Sequence, residues 1–515
     1  MTLQSSNSIL FIPPPTGGLN GFDAWYGMDA NYAIDIQNVN PRYNYSECRA
    51  SFASVGSSGL NFTIDLAHLY ANIDASAAVT FIASYNGHLY SITTAGAWTD
   101  LGAVLTGGSA NPISACQFRG RLFIADGVDA PMDWNGAALT NPTGWSGTGL
   151  TASTLRNPWV YKGRLFFTTS TNDIWYAPID AITGALTKYP MQSALTKGGQ
   201  IVFGGQTYVG GDGRNALWLV VSTEGEIVVF SGQDPGASDW EIYGRFFVSP
   251  PLSYISYFSY GGDFHIITTQ GIVAMSDVLA DRKDGSNYIT ISKKIDPIIA
   301  KISAYLASFG SGIKAWPTNA VISSSENLLY LGPFPAYDAG YRTDYGKPSF
   351  FVMNLSTKAW SWYTTPITYY PALGAIAAAK GVVYYIAIGA QYELWKTGQT
   401  ALYDAGSTNL PIGWNITSAF TNAKQNYNKK FNKFRPVVKN GLNYTLGSYR
   451  DFDISVLKTN AITTGLTLNK KFYDLNSEGT FFSAYVAGTS KDTGATALPQ
   501  YFGSFLTYQP GSDVP

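Results

Sequence analysis

Charge is what this chain has least of. Asp, Glu, Lys and Arg make up 13% of its 515 residues, and 33 basic groups nearly cancel 34 acidic ones to leave a net charge of −1. A soluble domain ordinarily carries about a quarter charged residues. Nothing on the scale of the whole chain would grip phosphate, so tight nonspecific DNA binding is not expected. Cysteine is as scarce. Cys48 and Cys116 cannot build a disulfide framework and lack the CxxC spacing of a zinc site. Cys116 sits in an apolar strand pattern and reads as a small core residue. The three histidines, His68, His88 and His265, are isolated in strand-like surroundings, where a structural role is the usual one. No GxSxG, HExxH or Walker A motif occurs. The stretch KGGQIVFGGQTYVGGDGRN lacks the Lys-Ser/Thr ending of a phosphate loop, and Gly211-Asp212-Gly213 does not fit a dinucleotide fingerprint, so its glycines are read as turns. A glycosidase would need paired carboxylates. Asp234 and Asp239 of FSGQDPGASDW read instead as turn residues. No catalytic, cofactor or metal residue is therefore nominated. The opening MTLQSSNSILFIPPPTGG has no basic region leading into an apolar core, so no secretory signal is expected. The longest apolar run, Ala372 to Ile388, is broken by Lys380-Gly381 and reads as two strands and a turn.

What is abundant points to strands. Aromatics reach 15%, with 35 Tyr and 53 Gly, and 45% of residues are hydrophobic, enough for a large packed core. The same hairpin recurs: FIASYNGHLYSIT, CQFRGRLFIAD, VYKGRLFFTT, YFSYGGDFHIITTQG and AIAAAKGVVYYIAIG, with turn glycines Gly87, Gly120, Gly163, Gly262 and Gly381. Two weaker copies centre on Glu224-Gly225 and Glu326-Asn327. Aromatic strands trail the units at Trp98, Trp134, Trp175-Tyr176, Trp240, Trp360 to Trp362 and Trp395. Turn spacings near 40 residues are those of four-stranded blades, which bury their faces by stacking radially. The expected fold is all-β, a propeller of about six or seven blades over residues 76–410.

Three segments depart from that rhythm. Residues 1–75 have Pro and Gly clusters around short apolar pieces, including the triple proline Pro13 to Pro15. They read equally as a docking arm or as a strap over the chain's own body. DPIIAKISAYLASFG puts Ile298, Ile299, Ile302, Tyr305, Leu306 and Phe309 at helical spacing, with Asp296 and Pro297 suited to the start and Gly310 to the stop, so a helix is expected over 297–309. Residues 411–515 alternate as a separate, sandwich-like β domain. It is made locally basic by Lys429, Lys430, Lys433, Arg435 and Lys439, most of which are read as a solvated strand face, with a contact to DNA or an acidic partner as the lesser reading.

In sequence order, GGLNGFDAWYGMDANYAIDIQNVNPR (17–42), YKGRLFFTTSTNDIWYAPIDAITGALTKYPMQSALTKGGQIVFGG (161–205), GEIVVFSGQDPGASDWEIYGRFFVSPPL (225–252), GGDFHIITTQGIVAMS (261–276) and NKKFNKFRPVV (428–438) resemble the tail nozzle proteins of short-tailed bacteriophages, also called tail tubular protein B-like or tail hub proteins. Where that family's turn is acid-rich, Arg214 and Asn215 stand here. The resemblance implies a virion tail component rather than an enzyme, made in the bacterial cytoplasm. It implies a homohexameric ring below the portal and its adaptor, with fibres or spikes docked nearby and phage double-stranded DNA passing through. A duct should not bind its cargo tightly, so a neutral or acidic lumen is expected. The interface candidates are Phe22, Trp25, Tyr26 and Tyr32 in the opening segment and Lys429, Lys430, Lys433 and Arg435 in the basic strand. The alternatives are a receptor- or glycan-binding propeller with exposed aromatics as stacking platforms, and, behind it, a propeller glycosidase.

Overall fold

The computed structural model describes residues 7–61, 68–107, 113–208, 215–280, 290–308, 319–334, 349–366, 370–388, 391–405, 409–440, 443–463, 472–490 and 497–510. The five quoted hairpins share one turn. Asn86-Gly87, Arg119-Gly120, Lys162-Gly163, Gly261-Gly262 and Lys380-Gly381 have positive φ at both central residues. That is the type I′ geometry whose twist matches paired strands.

These hairpins build an all-β propeller of seven blades. Blade 1 runs outward through His68–Ile73, Val79–Tyr85, His88–Thr93 and Trp98–Ala103. Blades 2, 3 and 4 repeat the antiparallel order, starting from Ser114–Phe118, Arg156–Tyr161 and Ile201–Tyr208. Blade 5 has three strands among the described residues, Tyr257–Tyr260, Asp263–Thr268 and Gly271–Ala274. Blade 6 spans Asn319–Ser323 to Trp360–Tyr363. Blade 7 takes Tyr370–Ala379, Val382–Ile388 and Gln391–Gln399, and its fourth strand is Ser51–Asn61 from ahead of blade 1. The ring is thus closed by a strand from the opening segment. The innermost strand of blade 7 lies against that of blade 1. Phe81, Ala83 and Ile92 of blade 1 share a buried cluster with Ile386, Tyr392 and Leu394 of blade 7.

The repeated hairpin is not in phase with the blades. At Gly120, Gly163, Gly262 and Gly381 it joins first and second strands, whereas at Gly87 and Gly225 it joins second and third. This shift is why the turn spacing is uneven.

The opening segment is no free arm. Ser8–Ile12, Val39–Pro41 and Ser46–Cys48 enter a six-stranded sheet with Gln500–Pro510, Lys429–Lys439 and Tyr473–Gly479. Gly18–Leu19 and Tyr32–Gln37 bridge the outer strand of blade 6 to Gly413–Ser418 and the strands after it, giving one continuous ten-stranded sheet. The two sheets face each other across the largest core cluster, which holds Ile36, Val39, Phe431, Phe434, Leu446, Phe482 and Leu506. The C-terminal β layer is thus a sandwich completed by N-terminal strands and fused to the propeller. The helix forms at Asp296–Ser308, with Ile298, Ile299, Ile302 and Leu306 buried in this same cluster. The expected end at Phe309 and Gly310 lies outside the described residues. Asp296 does not cap the helix through its backbone: its carboxylate accepts hydroxyl hydrogen bonds from Ser292 at 2.6 Å and from Thr290.

One carboxyl at the propeller–sandwich junction responds to pH. Asp35 accepts a hydrogen bond from the Trp362 indole at 2.7 Å. Burial outweighs that bond and raises its pKa from 3.8 to about 6. A raised acid stabilises the fold while protonated. Its contribution is complete below pH 3.8 and is lost as the pH rises through about 6. Asp35→Asn should therefore stabilise the protein at pH 8, by up to about 3 kcal/mol, and change little at pH 4. Urea unfolding at the two pH values checks this, and an equal effect at both would refute it.

Candidate functional site

Three regions could carry function: the propeller axis, the carboxylates, and the surroundings of the nominated interface residues. The seven strands nearest the axis contain no Asp, Glu or Lys. Tyr70 of blade 1, Cys116 of blade 2 and Tyr257 of blade 5 converge there. Burial pushes all three up, and Tyr257 adds to the shift of Tyr70 as Cys116 adds to that of Tyr257. The Tyr70 hydroxyl donates to the Ile113 carbonyl at 2.7 Å. His68 beside them is pushed down by burial to about 4, so it is neutral at physiological pH.

Among the described residues no group of three or more His, Cys, Asp or Glu could hold a metal ion. Asp126 and Asp129 form a close carboxyl pair. Burial raises Asp126, and the Asp129 charge adds to the rise. Both are tied into local turns. Asp126 accepts from the Val128 and Asp129 amides at 2.9 and 2.8 Å, and Asp129 from the Thr106 amide and hydroxyl, both at 2.7 Å. Asp234, read from sequence as a turn residue, accepts from the Gly236 amide at 2.9 Å and pairs with Arg164 at 2.7 Å.

Of the interface candidates, only Trp25 and Lys429 are connected, through a row of aromatic rings at one end of the sandwich. Trp25 stacks on Phe420 with centroids 5.8 Å apart. Phe420 packs on Phe452 at 4.9 Å and Phe452 on Phe481 at 4.5 Å. The carbonyl of the preceding Thr480 accepts a hydrogen bond from Lys429 at 3.1 Å. Tyr26 is 76% exposed and Phe22 50%. Tyr32 lies under the Lys294 ammonium at 4.8 Å, and Lys294 pairs with Asp23 at 2.5 Å.

The basic strand divides. Lys430 and Lys433 are exposed, and Arg435 is half-buried between Phe505 at 4.5 Å and Phe472 at 5.0 Å. Lys429 departs from the expected solvated face. It is 1% exposed, and its ammonium donates to the carbonyls of Gln425, Tyr427 and Thr480 at 2.6, 2.8 and 3.1 Å. All three of its protons are satisfied, so it is a structural tie and is not open to a partner. Burial lowers its pKa. Lys429→Met should cost about 1–3 kcal/mol, because three carbonyls lose their donor. Lys430→Met and Lys433→Met should stay within about 0.5 kcal/mol. Denaturant midpoints of the three variants test the division.

Sequence reasoning missed Arg49 and Asp404 and read His265 as structural. Arg49 and Asp404 lie far apart in short irregular pieces, and His265 sits in an ordinary strand pattern, so no local spacing marks them.

No family model and no curated protein matches the chain. Among solved structures, virginiamycin B lyase from Staphylococcus aureus is similar at 10% identity and a TM-score of 0.38, covering 65% of this chain and 97% of that one. YCF48 from Cyanidioschyzon merolae is similar at 8% identity and a TM-score of 0.39, covering 68% of this chain and 99% of that one.

Proposed function

We propose that this chain is a structural component of the tail of a short-tailed bacteriophage, the nozzle, assembled as a homohexamer below the portal and its adaptor. The ordered set of nozzle-like segments supports this reading, and one structural observation carries it furthest. The first and last described strands, Ser8–Ile12 and Gln500–Pro510, pair in one body. The opening segment supplies the strand that closes the propeller ring and strands that complete the sandwich, and a continuous ten-stranded sheet joins the two. A stiff body of this kind suits a wall. In this reading the conduit for double-stranded DNA is formed between copies rather than through one. The sparse charge of the chain keeps passing DNA from sticking to that wall. In this reading the chain is not an enzyme, and its partners are copies of itself, the adaptor, and tail fibres or spikes.

Imaging of virions labelled with an antibody to this chain tests the proposal. Label on the axis at the far end of a short tail is expected. Label on lateral fibres would turn attention to receptor or glycan binding, for which Tyr26 and Phe22 are the exposed platforms. Protein free in the lysate and absent from every virion fraction would overturn the structural reading. An enzymatic reading would then be examined first at Asp126 and Asp129, as hydrolysis of a host polysaccharide lost in Asp126→Asn.

A further inference from the structure

Among the described residues the fifth blade has three strands, and after Gly271–Ala274 the chain turns into the helix Met275–Ala280. A cleft of about 340 Å³ remains between blades 5 and 6. Its walls are apolar, with Phe258 and Ile291 on one side and Leu329, Met353 and Leu355 on the other. Its mouth is framed by Tyr260, Asp277 and Lys358.

His265 lines this cleft and is only 5% exposed. Its ring stacks on Phe258 with centroids 4.8 Å apart. Its Nδ1 is shut off from solvent and engaged with the Asp263 backbone, which leaves Nε2 as the ring nitrogen open to the cleft. Burial lowers the pKa of the ring and Lys358 adds to this, while Asp263 and Asp277 oppose it. The ring is therefore neutral at pH 7 and offers one N–H and one lone pair. Asp263 is already committed. It accepts from Ser276 Oγ at 2.6 Å, the Phe264 amide at 2.8 Å, the Ser276 amide at 3.1 Å and Thr207 Oγ1 at 3.2 Å. At the mouth the charges of Asp277 and Lys358 oppose each other, and the remaining carboxylate, Asp263, is occupied by its four donors, so no free charged group is left to select an ion.

An apolar slot of this size with one buried, under-used hydrogen-bonding group matches the general pattern of a small-ligand site. We propose that it binds a neutral aromatic ring bearing one hydroxyl. The ring would lie against Phe258, Leu329 and Met353, and the hydroxyl would pair with His265. A free phenol and a tyrosine side chain presented by a partner share this chemistry.

Saturation-transfer NMR on the full chain tests the assignment, with p-cresol, toluene and N-acetyltyrosine methylamide as probes. p-Cresol should bind about tenfold more tightly than toluene, the value of one buried hydrogen bond. Met353→Trp, which fills the slot, should abolish binding, and His265→Phe should bring p-cresol down to the level of toluene. Should Met353→Trp fail to fold, His265→Phe with the cresol–toluene ratio carries the test. Binding of the capped tyrosine as well as p-cresol assigns the site to a partner's side chain. Binding of p-cresol alone assigns it to a free phenol. No transfer to any probe, equal affinity for cresol and toluene, or binding unchanged in Met353→Trp would overturn the proposal.

Discussion

Asp404→Ala should destabilise the protein by about 3–5 kcal/mol, more than any surface substitution, because it strands a buried guanidinium. Arg49 is fully enclosed and all five of its N–H donors are used. Nε donates to Asn38 Oδ1 at 3.0 Å. One terminal nitrogen donates to the Ala50 carbonyl at 2.9 Å and to Asp404 Oδ1 at 2.8 Å. The other donates to the Thr364 carbonyl at 3.0 Å and to Asp404 Oδ2 at 2.6 Å. Its carbon lies 3.8 Å from the centroid of the Phe52 ring, and Asp404 also accepts from the Phe52 amide at 2.7 Å. Burial disfavours the charge on Arg49, but Asp404 outweighs it and holds the guanidinium protonated. One residue thereby ties the end of blade 6, the sandwich and the strand that closes the ring. The loss should show first as faster amide exchange in Ser51–Asn61 and Gln391–Gln399, the paired strands of blade 7. Replacing both partners, Arg49→Met with Asp404→Leu, should restore most of the stability, since no charge is then left buried. Exchange that rises evenly in every blade, or a double variant no better than Asp404→Ala, would show that this network does not govern closure.

The placement of this network explains how far the sequence could be read. A type I′ turn is written in two adjacent residues, so Asn86-Gly87 or Lys380-Gly381 announces a hairpin without ambiguity. Which pair of strands the hairpin joins is decided by how the blades stack, and Gly87 and Gly225 differ in this from Gly120 and Gly163. The helix beginning at Asp296 was legible because its period is local. The ring-closing partner of Gln391–Gln399 was not, because Ser51–Asn61 lies more than three hundred residues away and alternates like any other strand. Lys429 shows the same limit at one residue. Its place beside Lys430 suggested a solvated pair, and only the approach of Thr480 and the turn at Gln425 makes one of them a buried tie. Local turns and periods were readable, whereas features fixed by contacts between distant strands were not.

The glycines Gly204 and Gly205 carry this further. Read as turn residues, they lie instead inside the inner strand of blade 4, Ile201–Tyr208, where neither has a positive φ. They are there for lack of a side chain. A Cβ on Gly204 would stand 2.4 Å from the Trp159 ring of blade 3, and one on Gly205 would stand 2.3 Å from the Phe264 ring of blade 5. The two neighbouring blades thus press an aromatic ring onto this strand from opposite sides. Gly204→Ala and Gly205→Ala should each cost about 1–3 kcal/mol by overpacking. Because the two glycines are adjacent, additive effects would themselves show that the strand does not shift as a unit. Shrinking the ring that blocks each site is the discriminating control. Trp159→Leu should recover part of the loss in Gly204→Ala and none of it in Gly205→Ala, and Phe264→Leu should do the reverse. Calorimetric midpoints of the four double variants decide it. Recovery by both ring variants at both sites would mean that the strand shifts as a whole. Recovery by neither would mean that the cost lies in the backbone. Only the crossed pattern identifies these glycines as the seats of the two flanking blades, and hence as a determinant of how tightly the ring can close.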